Sequence, residues 1–208
     1  MVYLSNVADP PTSPPEPYTL VLASQSPRRR EILATAGIRF TVRVSPVEEV
    51  RGHDEDPDVY VRRLAREKAE ASAKLSEVPG REIVLAADTT VVLGRQVLEK
   101  PHDVRDAESM LARLAGREHR VITGFAIHHP GGEIVDSVST LVRFSPMSRE
   151  EIAAYVASGE PMDKAGAYAI QGLASKFIAS IDGCFFNVVG LPISHVYRYL
   201  QKLNHSVA

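Results

Sequence analysis

Cysteine is almost absent from this chain: Cys184 stands alone among 208 residues. An intrachain disulfide and a cysteine-rich zinc site are therefore excluded, and a reducing, cytoplasmic setting is the simplest expectation. No run of about 20 apolar residues is present, so no membrane-spanning helix is expected. Neither Gly-x4-Gly-Lys-Ser/Thr nor Gly-x-Gly-x-x-Gly occurs, which removes most support for a P-loop ATPase or a dinucleotide oxidoreductase. An excess of one charge is missing too, since 24 Lys+Arg face 26 Asp+Glu for a net charge of -2. A general nucleic-acid binder would be clearly basic, and no run interleaves aromatic with basic residues as a stacking platform.

The remaining composition, 44% hydrophobic and 24% charged, is that of a globular chain with a buried core. Asp9-Pro10-Pro11 and Pro14-Pro15-Glu16-Pro17 predict an extended, mobile leader over residues 1–17, ahead of one domain over 18–204. That leader lacks the basic start and apolar run of a signal peptide. Leu20-Val21-Leu22-Ala23 suits a buried strand, and Ser26-Pro27 opens a helix that Gly37 closes. Alternating Phe40, Val42 and Val44 predict a half-buried strand ending near Glu48-Glu49. A long helix is expected from Pro57 to about Leu75, with Val61, Leu64, Ala65, Ala71 and Leu75 on its buried face. Ile83–Ala87 is a second apolar strand that runs into Asp88, and Val91–Leu93 continues beyond it to a turn at Gly94-Arg95-Gln96. Asp103 and Asp106 start a helix that stops at Gly116. Val121–Ile127 and Ile134–Phe144 form a hairpin, and Ser148 with Glu151 caps a short helix ending at Gly159. A strand near Phe177–Ile181 and a helix from Pro192 to about Leu203 finish the chain. Strands alternate with helices around one hairpin, which predicts an α/β fold with a mixed sheet flanked by helices.

Several charged residues stand where stability alone would not put them. Arg28, Arg29 and Arg30 begin a helix, so they oppose the positive end of its dipole unless an anion such as phosphate lies there. At about 100° per residue, at most two of them can share one ligand; the bland alternative is a solvated basic turn. Lys68 continues the apolar series Val61, Leu64, Ala65 and must either snorkel out or find an anionic partner. Asp88 ends an apolar strand, where it is either a cap or a base or metal ligand. Glu48 and Glu49 end another strand, so three carboxylates could converge on Mg²⁺ or Mn²⁺, or remain loop acids. Lys100 and Lys164 are lone loop lysines that could serve a site or only the surface. His128-His129 reads as exposed polar surface, and Cys184 as a small packed residue.

Five blocks together carry a resemblance. Leu22–Arg29, Ala86-Ala87-Asp88-Thr89, Glu99-Lys100-Pro101, Gly159–Gly172 and Asn187–Pro192 resemble, in order, the Maf family of nucleoside triphosphate pyrophosphatases. The resemblance implies hydrolysis of a nucleoside triphosphate to the monophosphate and pyrophosphate with a divalent metal, Mg²⁺ or Mn²⁺. It implies an elongated two-lobed fold with a cleft, related to the inosine triphosphate pyrophosphatases, and a homodimer. It places Ser24, Arg28 and Arg29 at the triphosphate, with Lys68, Lys100 and Lys164 adding positive charge. Glu49 and Asp88 would serve metal and water, with Asp88 as the proposed base.

Thr89, Gln171 and Arg28 resemble the branch that acts on dTTP and UTP, in nucleotide-pool housekeeping. The 7-methyl-GTP branch and a nucleotide-sensing regulator of septum formation are the alternatives. A glutamine amide carries both donor and acceptor, and so matches part of the uracil or thymine edge, where one N–H lies between two carbonyls.

Overall fold

The computed structural model describes residues 18–44 and 46–203. The expected leader, Ser45 and residues 204–208 lie outside the described residues. The elements are β1 (Thr19–Leu22), α1 (Pro27–Thr35), β2 (Thr41–Val42), α2 (Pro57–Ala73), β3 (Glu82–Leu93), β4 (Gln96–Leu98), α3 (Val104–Leu114), β5 (Glu118–His129), β6 (Gly132–Phe144), α4 (Arg149–Ala157), β7 (Ile178–Asp182), α5 (Phe185–Val189) and α6 (Ile193–Lys202). Short 3-10 turns at Glu160–Asp163, Ala165–Ala167 and Leu173–Phe177 link α4 to β7. The result is the expected mixed α/β sheet, ordered β2-β1-β3-β5-β6-β7 with β4 also on β3.

Strand periodicity divides the core. Val21, Ala23, Val84, Ala86 and Ala126 face α2 through Ala65 and Ala69, and Val92 and Ile122 meet Val61 and Leu64 further along. The alternate residues Leu20, Leu22, Ile83, Leu85, Phe125 and Ile127 join α1, α3, α4 and α6 on the opposite face. Two-residue alternation thus supplies one apolar set to each helix layer.

Three expectations are corrected. The half-buried strand expected from Phe40 to near Glu48-Glu49 shrinks to Thr41–Val42, both exposed, because β1 offers pairing partners only at Val21 and Leu22. α2 stops at Ala73, and its buried face is Tyr60, Val61, Leu64, Ala65, Ala69 and Ser72; Leu75 lies past its end and is exposed. Asp88 does not end a strand, because β3 runs on through it to Leu93.

That continuous strand creates the opening on which the site depends. β5 pairs β3 along one edge from Val84 to Val92. On the other edge β1 pairs only Glu82–Leu85 and β4 only Val91–Leu93. Residues 86–90 therefore keep an edge that no strand covers, and the loop from β1 into α1 turns away beside it. α2 presses closely on the sheet there. Gly124, the β5 partner of Asp88, has space for no side chain, since a Cβ would stand 2.5 Å from the Val61 carbonyl carbon and oxygen.

Candidate active site

A cavity of about 740 Å³ opens at this gap. Its wall includes Ser24, Arg28, Arg29, Glu49, Lys68, Asp88, Thr89, Lys100, Lys164 and Gln171, candidates from distant parts of the sequence that share one space. Arg30 and Glu48 do not line it. Both are exposed, as helix geometry requires of one arginine in the triplet. The expected trio of acids is thereby reduced to a pair.

β3 sends its functional side chains to opposite faces. Asp88 points to the α2 layer, where Lys68 Nζ lies 2.6 Å from its Oδ1 and 2.6 Å from Glu49 Oε1. Lys68 has thus found anionic partners instead of snorkelling. Lys100 Nζ stands 3.7 Å from the other Glu49 oxygen. Burial pushes the Glu49 carboxyl up, but the hydrogen bond and charge of Lys68, then Lys100 and Arg29, hold it below its ordinary value. Asp88 is only 9% exposed, so the ion pair with Lys68 is largely shielded from water.

Thr89 points the other way, to Arg29. The Arg29 guanidinium donates through Nε to the Gly190 carbonyl at 2.8 Å, and to the Ser24 and Thr89 hydroxyls at 3.2 Å each. Burial lowers its pKa, partly offset by Asp88, with Arg28 pulling the same way as burial. Gly190 follows α5 with φ +124°, a left-handed value that glycine adopts without strain. Its carbonyl is thereby available to Arg29.

Behind Thr89 runs a directional relay. Thr123, fully buried, donates to the Asn187 carbonyl at 2.8 Å, so the 2.9 Å contact between the two threonine hydroxyls is a donation from Thr89. Asn187 Nδ2 in turn donates to the Val121 carbonyl and to Thr140 Oγ1, both at 2.9 Å. With its proton committed to Thr123, Thr89 orients Arg29 as an acceptor.

At the opposite wall Arg28 pairs with Asp163 at 3.3 Å, and Lys164 binds the same carboxylate. Burial alone would raise the Asp163 pKa, but Lys164 and then Arg28 lower it. Lys164 also donates to the Glu160 carbonyl at 2.7 Å. Gln171 sits on an exposed turn at the rim. Sequence reasoning assigned no role to Asp163, Thr123 or Glu160, which meet their partners only in three dimensions. Asn187 lies in the family-like block Asn187–Pro192, but its relay depends on strand neighbours far away in the chain.

Among the described residues no group of three or more His, Cys, Asp or Glu side chains is placed to hold a metal ion. The donor set of Glu49 and Asp88, already converging on one cation, instead suits a hard ion completed by phosphate oxygens and water, as Mg²⁺ prefers. No helix of the described residues is long and apolar enough to cross a membrane.

The chain is also similar to known proteins. A family model described as "Maf-like protein" matches residues 19–203. A Symbiobacterium thermophilum protein named dTTP/UTP pyrophosphatase is 50% identical over 188 residues, covering 90% of this chain and 95% of its own. A Vibrio cholerae protein of the same name is 49% identical, covering 88% of this chain and 97% of its own. Among solved structures, the Staphylococcus aureus Ham1 protein aligns over 88% of this chain and 98% of its own, at 14% identity and a TM-score of 0.47.

Proposed function

The chain belongs to the Maf family, and from that premise we propose that it hydrolyses dTTP and UTP to the monophosphate and pyrophosphate. The observation that carries this reading is the meeting of Arg28, Arg29, Lys68, Lys100 and Lys164 with Glu49 and Asp88 around one cavity. Five cations suit a triphosphate of about four negative charges, whose neutralisation makes pyrophosphate a good leaving group. Two relatives named dTTP/UTP pyrophosphatase, near 50% identity, support the choice of nucleotide.

In this reading Arg28, Arg29, Ser24 and Lys164 bind the phosphate chain, with Thr89 holding Arg29 in place. Lys68 and Lys100 add charge at the scissile end. Glu49 and Asp88 would hold a divalent cation, Mg²⁺ or Mn²⁺, which supplies charge neutralisation at phosphate oxygens when bound. Asp88 accepts the proton of the attacking water, and no covalent nucleophile is needed. Gln171 presents its amide to the pyrimidine edge. The reading includes a cytoplasmic homodimer, to which the exposed Phe185 and Phe186 offer apolar surface; sedimentation tests the assembly.

The decisive assay compares UTP, dTTP, CTP and 7-methyl-GTP on one preparation with Mg²⁺ or Mn²⁺. Pyrophosphate and monophosphate from UTP and dTTP, abolished by chelator, are expected. Turnover of none of these triphosphates by folded protein overturns the reading.

A further inference from the structure

Glu160 is not part of the cavity wall, yet it holds two pieces of that wall together. Its Oε1 accepts the Tyr155 hydroxyl at 2.8 Å, and that hydroxyl oxygen accepts the Ala169 amide at 3.2 Å. Its Oε2 accepts the Leu173 amide at 3.1 Å. The turn that carries Gln171 is therefore tied at both ends to one carboxylate. Between those ties Gly172 packs so tightly that a Cβ would stand 2.2 Å from Glu160 Oε2. With φ at −103°, Gly172 is outside the left-handed region, so glycine is required here by the space the carboxylate fills. The Glu160 backbone carbonyl accepts Lys164 Nζ at 2.7 Å.

We propose that Glu160 is a positioning residue for nucleobase selection, fixing the Ala169–Leu173 turn so that Gln171 meets the base in register with Lys164 at the phosphates. This rests on the reading above that Gln171 contacts the base. Gln171 is exposed at the cavity edge, so its backbone must supply the precision. A recognition group left about 1 Å loose loses discrimination even when it is present.

The test is the ratio of kcat/KM for UTP to that for CTP, with thermal unfolding recorded for every variant. Glu160→Ala should lower the ratio by about tenfold, chiefly through KM for UTP, the scale of a lost charge-assisted hydrogen bond. Glu160→Gln should restore most of it, since one oxygen still accepts the Leu173 amide while the new amide donates to Tyr155. Gly172→Ala should reproduce Glu160→Ala, and the double variant should fall no further, because the added methyl conflicts with the carboxylate itself. Should Glu160→Ala not fold, Tyr155→Phe decides by the same ratio, with a smaller loss expected. An unchanged ratio in the folded variants, or equal losses for UTP and CTP, overturns the positioning role while leaving the base reading intact if Gln171→Ala still lowers the ratio. A ratio that Gln171→Ala does not move overturns the base reading and this proposal with it.

Discussion

Lys68 and Asp88 form a 2.6 Å ion pair between α2 and β3, and the same ammonium bridges to Glu49. The pair explains how a charge on the apolar stripe of a helix is tolerated: the desolvated lysine exchanges water for two carboxylates. Lys68→Met should leave the two acids facing each other without the ammonium and remove the hydrogen bond and charge that hold the Glu49 carboxyl down. The acid limb of the pH–rate profile should then move upward by about one unit, and kcat/KM for UTP should fall by about a hundredfold. Glu49 titrates below its ordinary value in the folded protein. Its contribution to stability is therefore present above the ordinary carboxylate range and is lost as pH falls through the folded value. The Met variant should lack most of that acid-side dependence in urea titrations. Asp88→Asn keeps the shape and removes the proton acceptor, so kcat should drop by about a thousandfold with the fold intact.

Arg29 sends three donors to Gly190, Ser24 and Thr89, a fork that a lysine cannot reproduce. Arg29→Lys should cost about 2 kcal/mol of stability without nucleotide, from donors lost to buried acceptors. It should also raise KM for UTP. Thr89→Val, which deletes only the oriented acceptor, should show the KM effect at smaller size. Chemical denaturation and steady-state kinetics on the same preparations separate the two.

The site was more legible in the sequence than the geometry that builds it. Arg28, Arg29 and Lys68 were visible because each broke a local rule of helix electrostatics or amphipathicity. Asp88 was noticed for an incomplete reason. It follows five apolar residues, but the strand continues through it, and its importance comes from where β1 and β4 stop along the edge of β3. No period in the sequence reports where a neighbouring strand ends. Glu160 and Asp163 broke no local pattern, because their partners lie on other segments or emerge only when the turn closes. The short β2 failed for a related reason, its alternation being real but its only partner too short.

Gly124 is the strand position on which α2 rests, and it pairs with Asp88. A Cβ there would meet the Val61 carbonyl at 2.5 Å, backbone that cannot rotate aside. Gly124→Ala should therefore push α2 away from the sheet at a cost of about 1–3 kcal/mol. Lys68 lies two turns along the same helix, so kcat/KM should fall further than instability explains. Nucleotide-free thermal unfolding combined with kinetics well below the transition separates the two effects. Activity unaltered by Gly124→Ala would mean that the position of Lys68 does not depend on this contact.

His119 supplies a pH dependence unrelated to the carboxylates. It is 2% exposed, lies edge-on to Phe144 and Tyr168, and shares a 2.8 Å hydrogen bond with the Tyr168 hydroxyl. Burial lowers its pKa to about 4, whereas an unfolded histidine titrates near 6.5. Between these values the unfolded chain binds the extra proton, so stability is complete above the unfolded value and declines as pH falls toward the folded one. The loss reaches up to about 3 kcal/mol by pH 4, from a difference of about 2.5 units. His119→Gln removes the titrating group while keeping a polar partner for Tyr168. Its unfolding free energy should be lower at pH 8 but flatter between pH 6.5 and 4, so the two curves converge on acidification. Parallel curves over that interval would show that another group controls the acid sensitivity. Because Tyr168 also lines the cavity, protonation of His119 should loosen that wall before the fold is lost, and KM for UTP should rise at pH values where circular dichroism is still native.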